Sequence, residues 1–187
     1  PVILAPGGGK LSKRKGAVSV GEYREKGYLP EALFNFLALL GWSPGDEREK
    51  MTLEELIQSF TLERIMPKSA AFDETKLEWL NGQYLIAATP ERIESEVRRF
   101  LELRGLGEEL STSPSTLENH IRLLKDRSRR IDEIVDTGLY FWRDPETYEE
   151  KAAAKYWKPE TPARIRALVL KLAPQDDPSP AALEALY

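Results

Sequence analysis

Four cations lie within six residues at Lys10, Lys13, Arg14 and Lys15, directly after the run Gly7-Gly8-Gly9. Glycines let a backbone approach an anion closely, and lysine ammonium groups are mobile point charges. The chemistry open to such a loop is to hold phosphates; the plainer reading of the same residues is a solvated basic loop. Two familiar phosphate loops do not fit. A Walker A loop needs G-x-x-x-x-G-K-[ST], but Leu11 follows Gly9-Lys10 and Leu4 stands five residues before Gly9. A dinucleotide fingerprint needs a later glycine at set spacing within alternating strands and helices, and neither is present.

A second basic cluster puts five cations into nine residues: Arg122, Lys125, Arg127, Arg129 and Arg130. On one continuous helix Arg122, Lys125 and Arg129 would share a side, and Arg127 and Arg130 would form an (i, i+3) pair. Such a stripe can track RNA phosphates, and guanidinium groups can read or stack on unpaired bases. The alternative is a solvated face paired with Asp126, Asp132 and Glu133. Among the aromatic residues, Trp42 and Trp79 read as core. Trp142, beside Arg143 on a loop, is either a packing residue or a stacking platform. His120 reads as partly buried and structural, Asp73 as a helix N-cap, and Glu22 and Glu31 as first-turn charges that complement a helix dipole.

The elements that must carry these groups are nearly all helical, with Val2-Ile3-Leu4 as one short strand. Ser19-x-x-Glu22 and Thr52-x-x-Glu55 are capping boxes. Pro30 sits at a first helical position, and Leu29, Leu33, Phe36, Leu37 and Leu40 follow at helical spacing. That helix is apolar almost all round and is expected to be buried, with Gly41 as its stop. Three later helices open on a hydroxyl residue followed by proline: Thr89-Pro90, Ser113-Pro114 and Thr161-Pro162, with Ser179-Pro180 starting a fourth. The cap oxygen accepts from an orphan backbone N–H, and proline lacks the N–H that would be orphaned there. The second of these helices is expected to run from Leu117 through Ile121 and Leu124 to Ile131 and Val135, carrying the basic cluster. Gly, Ser, Thr and Pro accumulate between Gly105 and Ser113, which places a seam there. The expected fold class is all-α: a short strand and loop, a helical unit, then a helical bundle.

Composition narrows the function classes. The 187 residues hold 41% hydrophobic side chains, enough for a real core, and carry a net charge of −4. Any nucleic-acid contact must come from local patches. With no cysteine and one histidine, the usual zinc sites are not expected. No apolar run reaches 18 residues, so no membrane-spanning helix is expected.

The segment Lys10-Leu11-Ser12-Lys13-Arg14 is followed by GYLPEALFNFLALLGWSP over residues 27–44, then by Phe72-Asp73-x-x-Lys76-Leu77-x-Trp79 and Trp79-Leu80-Asn81-Gly82-Gln83-Tyr84. In this order the four stretches resemble the bacterial-type glutamyl-tRNA synthetases, a class I family. The likeness is dense from Pro1 to about Tyr84 and thins to a helical pattern beyond. It implies that Lys10, Ser12 and Lys13 belong to a KMSKS-type loop that closes on ATP, with Lys10 and Lys13 catalytic and Lys13 contacting phosphate. Leu11 and Arg14 depart from the signature in the manner of the glutamyl and glutaminyl branch. The resemblance implies residues 1–18 as the end of a catalytic domain, 19–108 as a stem-contact domain and 109–187 as a helical anticodon-binding domain. Arg127 would be the base reader among Arg122, Lys125, Arg127, Arg129 and Arg130. It implies ATP-dependent attachment of glutamate to tRNA(Glu) through a glutamyl-adenylate, with ATP and Mg²⁺ as cofactors, by a monomer in the cytoplasm or an organelle. With no HIGH-like tetrapeptide and no alternating strand–helix run, the chain is expected to be a C-terminal piece of such an enzyme, cut short distally and inactive alone. The rival reading is a non-catalytic helical RNA-binding or scaffold module built from the same domains.

Overall fold

The computed structural model describes residues 2–5, 8–11, 19–112 and 114–173. Among them are ten helices and two short strands. The strands are β1 (Ile3–Leu4) and β2 (Ala70–Ala71), which pair in parallel with Ile3 opposite Ala70 and Leu4 opposite Ala71. The fold is predominantly all-α, as expected. The chain forms two compact units, residues 1–144 and 145–187.

In the first unit the helices are α1 (Val20–Glu25), α2 (Pro30–Leu39), α3 (Leu53–Ser59), α4 (Glu74–Ala87), α5 (Pro90–Leu103), α6 (Gly107–Thr112), α7 (Pro114–Leu124) and α8 (Ile131–Thr137). Their starts follow local chemistry. Both capping boxes form: Ser19 Oγ accepts from Glu22 N at 3.2 Å, and Thr52 Oγ1 accepts from Glu55 N at 3.2 Å, each glutamate reaching back to its cap's N–H. Asp73 caps α4 through Lys76 N at 3.2 Å, and Thr89 caps α5 through Arg92 N at 3.3 Å. Each such cap is worth about 1 kcal/mol. The caps expected at Ser113 and Ser179 lie outside the described residues.

α5 buries the expected stripe of Ile93, Val97, Phe100 and Leu101. It packs on α7 and α8 through Leu117, Ile121, Ile131 and Ile134, and this core takes in Leu29 of the α2 start, Leu85 of α4 and Leu106 and Leu110 around α6. It therefore includes Leu106 and Leu110 of the stretch that follows Gly105. A second cluster gathers Tyr23, Tyr28, Leu33, Phe36, Phe72, Leu77 and Leu80; a third holds Trp42, Met51 and Leu56. Burying one such large side chain stabilises by about 1.5–3 kcal/mol.

Three expectations need correction. α2 is not buried all round: Ala32, Leu33, Asn35 and Phe36 face inward, while Phe34 is 51% and Leu37 41% exposed. The stripe that α4, α5 and α3 cover leaves the remaining side uncovered. Trp79 is 43% exposed rather than core. The helix expected from Leu117 to Val135 is broken. α7 ends at Leu124, one 3₁₀ turn spans Lys125–Arg127, and Ser128 and Arg130 are extended before α8 begins at Ile131.

The second unit contains α9 (Glu150–Tyr156) and α10 (Thr161–Leu172). Thr161 is the first residue of α10 rather than its cap. Its hydroxyl accepts from Lys158 N at 2.9 Å, so it closes the preceding turn instead. Ile165, Val169 and Leu170 of α10 are exposed.

Candidate nucleic-acid interface

The break between α7 and α8 decides where the basic cluster points. Ser128 is buried, and its hydroxyl donates to Leu124 O at 2.9 Å, taking over a carbonyl that the next helical turn would have used. Ile131 N donates to Gly27 O at 3.0 Å, away from its own chain direction. Gly27 adopts φ +83°, and a Cβ there would stand 2.8 Å from Asp132 N, so only glycine admits the close crossing. From α4, the amide of Asn81 donates to Arg129 O, while its carbonyl accepts from Leu29 N at 2.8 Å. Asn81 is fully buried and supplies the polar cap that the α2 start lacks.

The five cations consequently separate. Arg122 is exposed and bound to Glu118 one turn away at 2.7 Å. Lys125 has only 14% of its side chain exposed; its ammonium donates to Ile86 O at 2.7 Å and pairs with Asp126 at 2.8 Å. Arg130 lies within an acidic cage of Glu78 at 2.6 Å, Asp132 at 3.0 Å and Glu133 at 3.4 Å, with its guanidinium over the Tyr28 ring. The hydrogen bond to Asp132, then the nearby charges of Asp132 and Glu133, hold its proton more tightly than usual against the opposing effect of burial. Arg127 is exposed, and among the described residues its side chain has no hydrogen bond or ion pair. The Arg129 backbone is pinned by Asn81 and by Glu133, whose carboxylate accepts from Arg129 N at 2.7 Å. The Arg129 guanidinium is likewise without a partner among the described residues.

Arg129 also lines a shallow recess with Trp79, Lys76, Thr75, Asp73 and Glu49. Lys76 reaches Glu49 across it. An exposed indole beside an unpaired guanidinium is suited to stacking on a base while holding a phosphate. From the sequence Trp79 is expected in the core, whereas it is exposed. Its position could have shown it: Leu77, Leu80, Asn81 and Leu85 mark the buried stripe of α4, and Trp79 falls outside it.

At the other end of the unit, the chain after β1 folds back on itself. Leu11 N donates to Ile3 O at 2.8 Å and Ala5 N to Gly9 O at 2.9 Å, with Gly8 and Gly9 at φ +95° and +81°. This return puts Lys10 on the surface, where no acid among the described residues pairs with it. An exposed, unpaired ammonium fits a nucleotide phosphate. Ser12 and Lys13 lie outside the described residues. Among the described residues no three Asp, Glu or His side chains converge. Also among them, no helix is long and apolar enough to cross a membrane.

Comparison with known proteins gives the class first. Residues 1–79 match the family described as tRNA synthetases class I (E and Q), catalytic domain, and residues 92–187, half of the chain, match the anticodon binding domain family. Among curated relatives, the glutamate–tRNA ligase of Moorella thermoacetica is 44% identical over 161 residues, covering 84% of this chain and 32% of the relative. That of Citrifermentans bemidjiense is 37% identical over all 187 residues, 39% of its own length. The crystal structure of a glutamate tRNA ligase from Elizabethkingia meningosepticum, in complex with its amino acid, superposes with a TM-score of 0.77. It is 34% identical and matches 94% of this chain and 38% of that one. The chain belongs to the glutamate-type class I tRNA synthetases, and it spans about a third of the length of the relatives it matches.

Proposed function

We propose that this chain supplies the ATP loop and the tRNA-contacting surface of an enzyme that joins glutamate to tRNA(Glu). Residues 1–18 serve the catalytic domain, 19–108 contact the tRNA stem and 109–187 the anticodon region. ATP, as the second substrate, supplies the energy that activates the glutamate carboxyl. Lys10 and Lys13 hold its phosphates: an ammonium placed where negative charge develops lowers the barrier without reorganising at the moment of reaction. Mg²⁺ is a companion of the nucleotide, and no step is assigned to it.

One observation supports the RNA part most. Arg127 and Arg129 are left unpaired at the α7–α8 break, whereas Arg122, Lys125 and Arg130 are engaged by protein partners. Arg127 has the freedom to read a base; Arg129 with Trp79 forms a platform; Arg122 can exchange Glu118 for a phosphate, since an exposed ion pair contributes little.

The test compares two tRNAs that differ at a single anticodon base. Arg127→Gln lowers discrimination between them by about 1–3 kcal/mol, the scale of one good base contact. Arg122→Ala weakens both alike. If Arg127→Gln leaves discrimination unchanged, Arg127 does not read the anticodon.

A further inference from the structure

His120, the sole histidine of the chain, sits on α7 with no exposed surface. Both ring nitrogens are engaged. Nε2 lies 2.9 Å from Ile134 O on α8, and Nδ1 lies 2.6 Å from the indole Nε1 of Trp142. An indole N–H can only donate, so Nδ1 must present its lone pair. The proton then resides on Nε2 and is donated to Ile134 O, which sets the tautomer. The Phe141 ring stacks on the imidazole at 5.3 Å between centroids. Gly138 passes so close that a Cβ there would stand 2.3 Å from Nε2.

We propose that His120 is an acid-released latch. Neutral, it pins the Gly138–Trp142 turn, the last helical turn before the first unit ends at Asp144, to α7 and α8. Protonated, it lets that turn go. A proton on Nδ1 would set N–H against indole N–H, and among the described residues the ring bonds to no acceptor besides Ile134 O.

The charged groups of α7 and α8 are engaged elsewhere, and α5 and α6, which also pack on α7, carry Arg98 bound to Glu94 and the exposed Glu102, Glu108 and Glu109. On α7, Glu118 binds Arg122; on α8, Asp132 and Glu133 bind Arg130, and Asp136 binds Arg104. The turn itself has no charged residue, and Arg143 beyond it is exposed. Burial lowers the proton affinity of His120, opposed by the Ile134 carbonyl. The folded pKa therefore lies below the ordinary value of about 6.5. The latch is intact above that value and opens as pH falls through the lower one.

Because His120 is alone, NMR of the 187-residue chain reads one imidazole. The expected result is an Nε2–H tautomer at pH 7.5, a midpoint below 6.5 and a Trp142 indole signal that shifts at the same midpoint. The amides of Phe141, Trp142 and Arg143, which donate to Gly138 and Leu139 carbonyls, lose protection about ten-fold per pH unit below it. The amides of α5 keep theirs. Trp142→Phe removes the opposing donor and raises the midpoint. A midpoint at or above 6.5, or an Nδ1–H tautomer, would overturn the latch. So would simultaneous loss of protection in the turn and α5, which would mean that the charge unfolds the core.

Discussion

Replacing Asn81 by leucine tests how the interface is held. Asn81 is fully buried and serves two backbone groups on different segments: the N–H of Leu29, which opens α2, and the carbonyl of Arg129, between α7 and α8. Leucine matches its size, so no cavity term enters, but it can neither accept nor donate. Each buried backbone group left unpaired costs about 1–3 kcal/mol. The two together predict a loss of about 2–6 kcal/mol. Asn81→Asp separates the terms: the acceptor for Leu29 N is kept, while an oxygen replaces the donor facing Arg129 O. Urea unfolding reads both variants as a lowered midpoint at an unchanged slope. Binding of tRNA should fall further than the loss of folded protein explains, because Arg129 loses its anchor. A cost below about 0.5 kcal/mol for Asn81→Leu would refute the reasoning, since neither bond would then matter to the fold.

Two glycines separate packing from strain. Gly138→Ala, at an unstrained φ of −99°, sets a Cβ 2.3 Å from His120 Nε2 and 2.6 Å from Leu124 Cδ1, and should cost about 1–3 kcal/mol by overpacking. Gly105→Ala meets nothing within 4 Å but holds φ +77°, so about 1–2 kcal/mol of backbone strain is expected instead; thermal unfolding of both variants checks this. Burial, aided by acidic neighbours, pushes the phenols of Tyr23, Tyr28 and Tyr84 up to about 12. Their folded values exceed the ordinary 10, so the stability they contribute is present below pH 10 and is lost as pH rises towards 12. Phenolate absorbance should show three tyrosines ionising in that upper range, alongside unfolding. In a glutamate–tRNA ligase that carries this chain, Lys13→Ala should raise the barrier to glutamate activation by about 2–4 kcal/mol and leave glutamate binding nearly unchanged, as read by pyrophosphate exchange.

What could be read from the residues was what local chemistry decides. The boxes at Ser19 and Thr52, the caps at Asp73 and Thr89 and the buried stripe of α5 all depend on neighbours within one or two turns. The break at Ser128–Arg130 could not be read that way. The periodicity of Leu117, Ile121, Leu124, Ile131 and Val135 continues across it, and the partners that bend the chain are Asn81 and Gly27, far away in sequence. The five cations consequently looked like one stripe, although tertiary contacts divide them into engaged and unengaged groups. The exposure of Phe34 and Leu37 on α2 is another tertiary outcome, fixed by how much of the helix its neighbours cover. β2 was invisible because two alanines carry neither alternation nor β-branching. The four ordered stretches from Lys10 to Tyr84 did carry the family.

The central claim is that RNA is held by the residues the fold leaves unpaired at the α7–α8 break. Binding of tRNA(Glu) to the 187-residue chain over a salt series tests it most directly, with Arg127→Ala, Arg129→Ala and the double variant beside the unaltered chain. Each phosphate contact removed should flatten the slope of log K against log salt by about one, so Arg129→Ala and the double variant should each lose about one, and the double variant, which also lacks the base contact of Arg127, should bind more weakly at all salt concentrations. Identical slopes for the unaltered chain and the double variant, at equal folded fraction, would contradict the account and return the basic cluster to a solvated face.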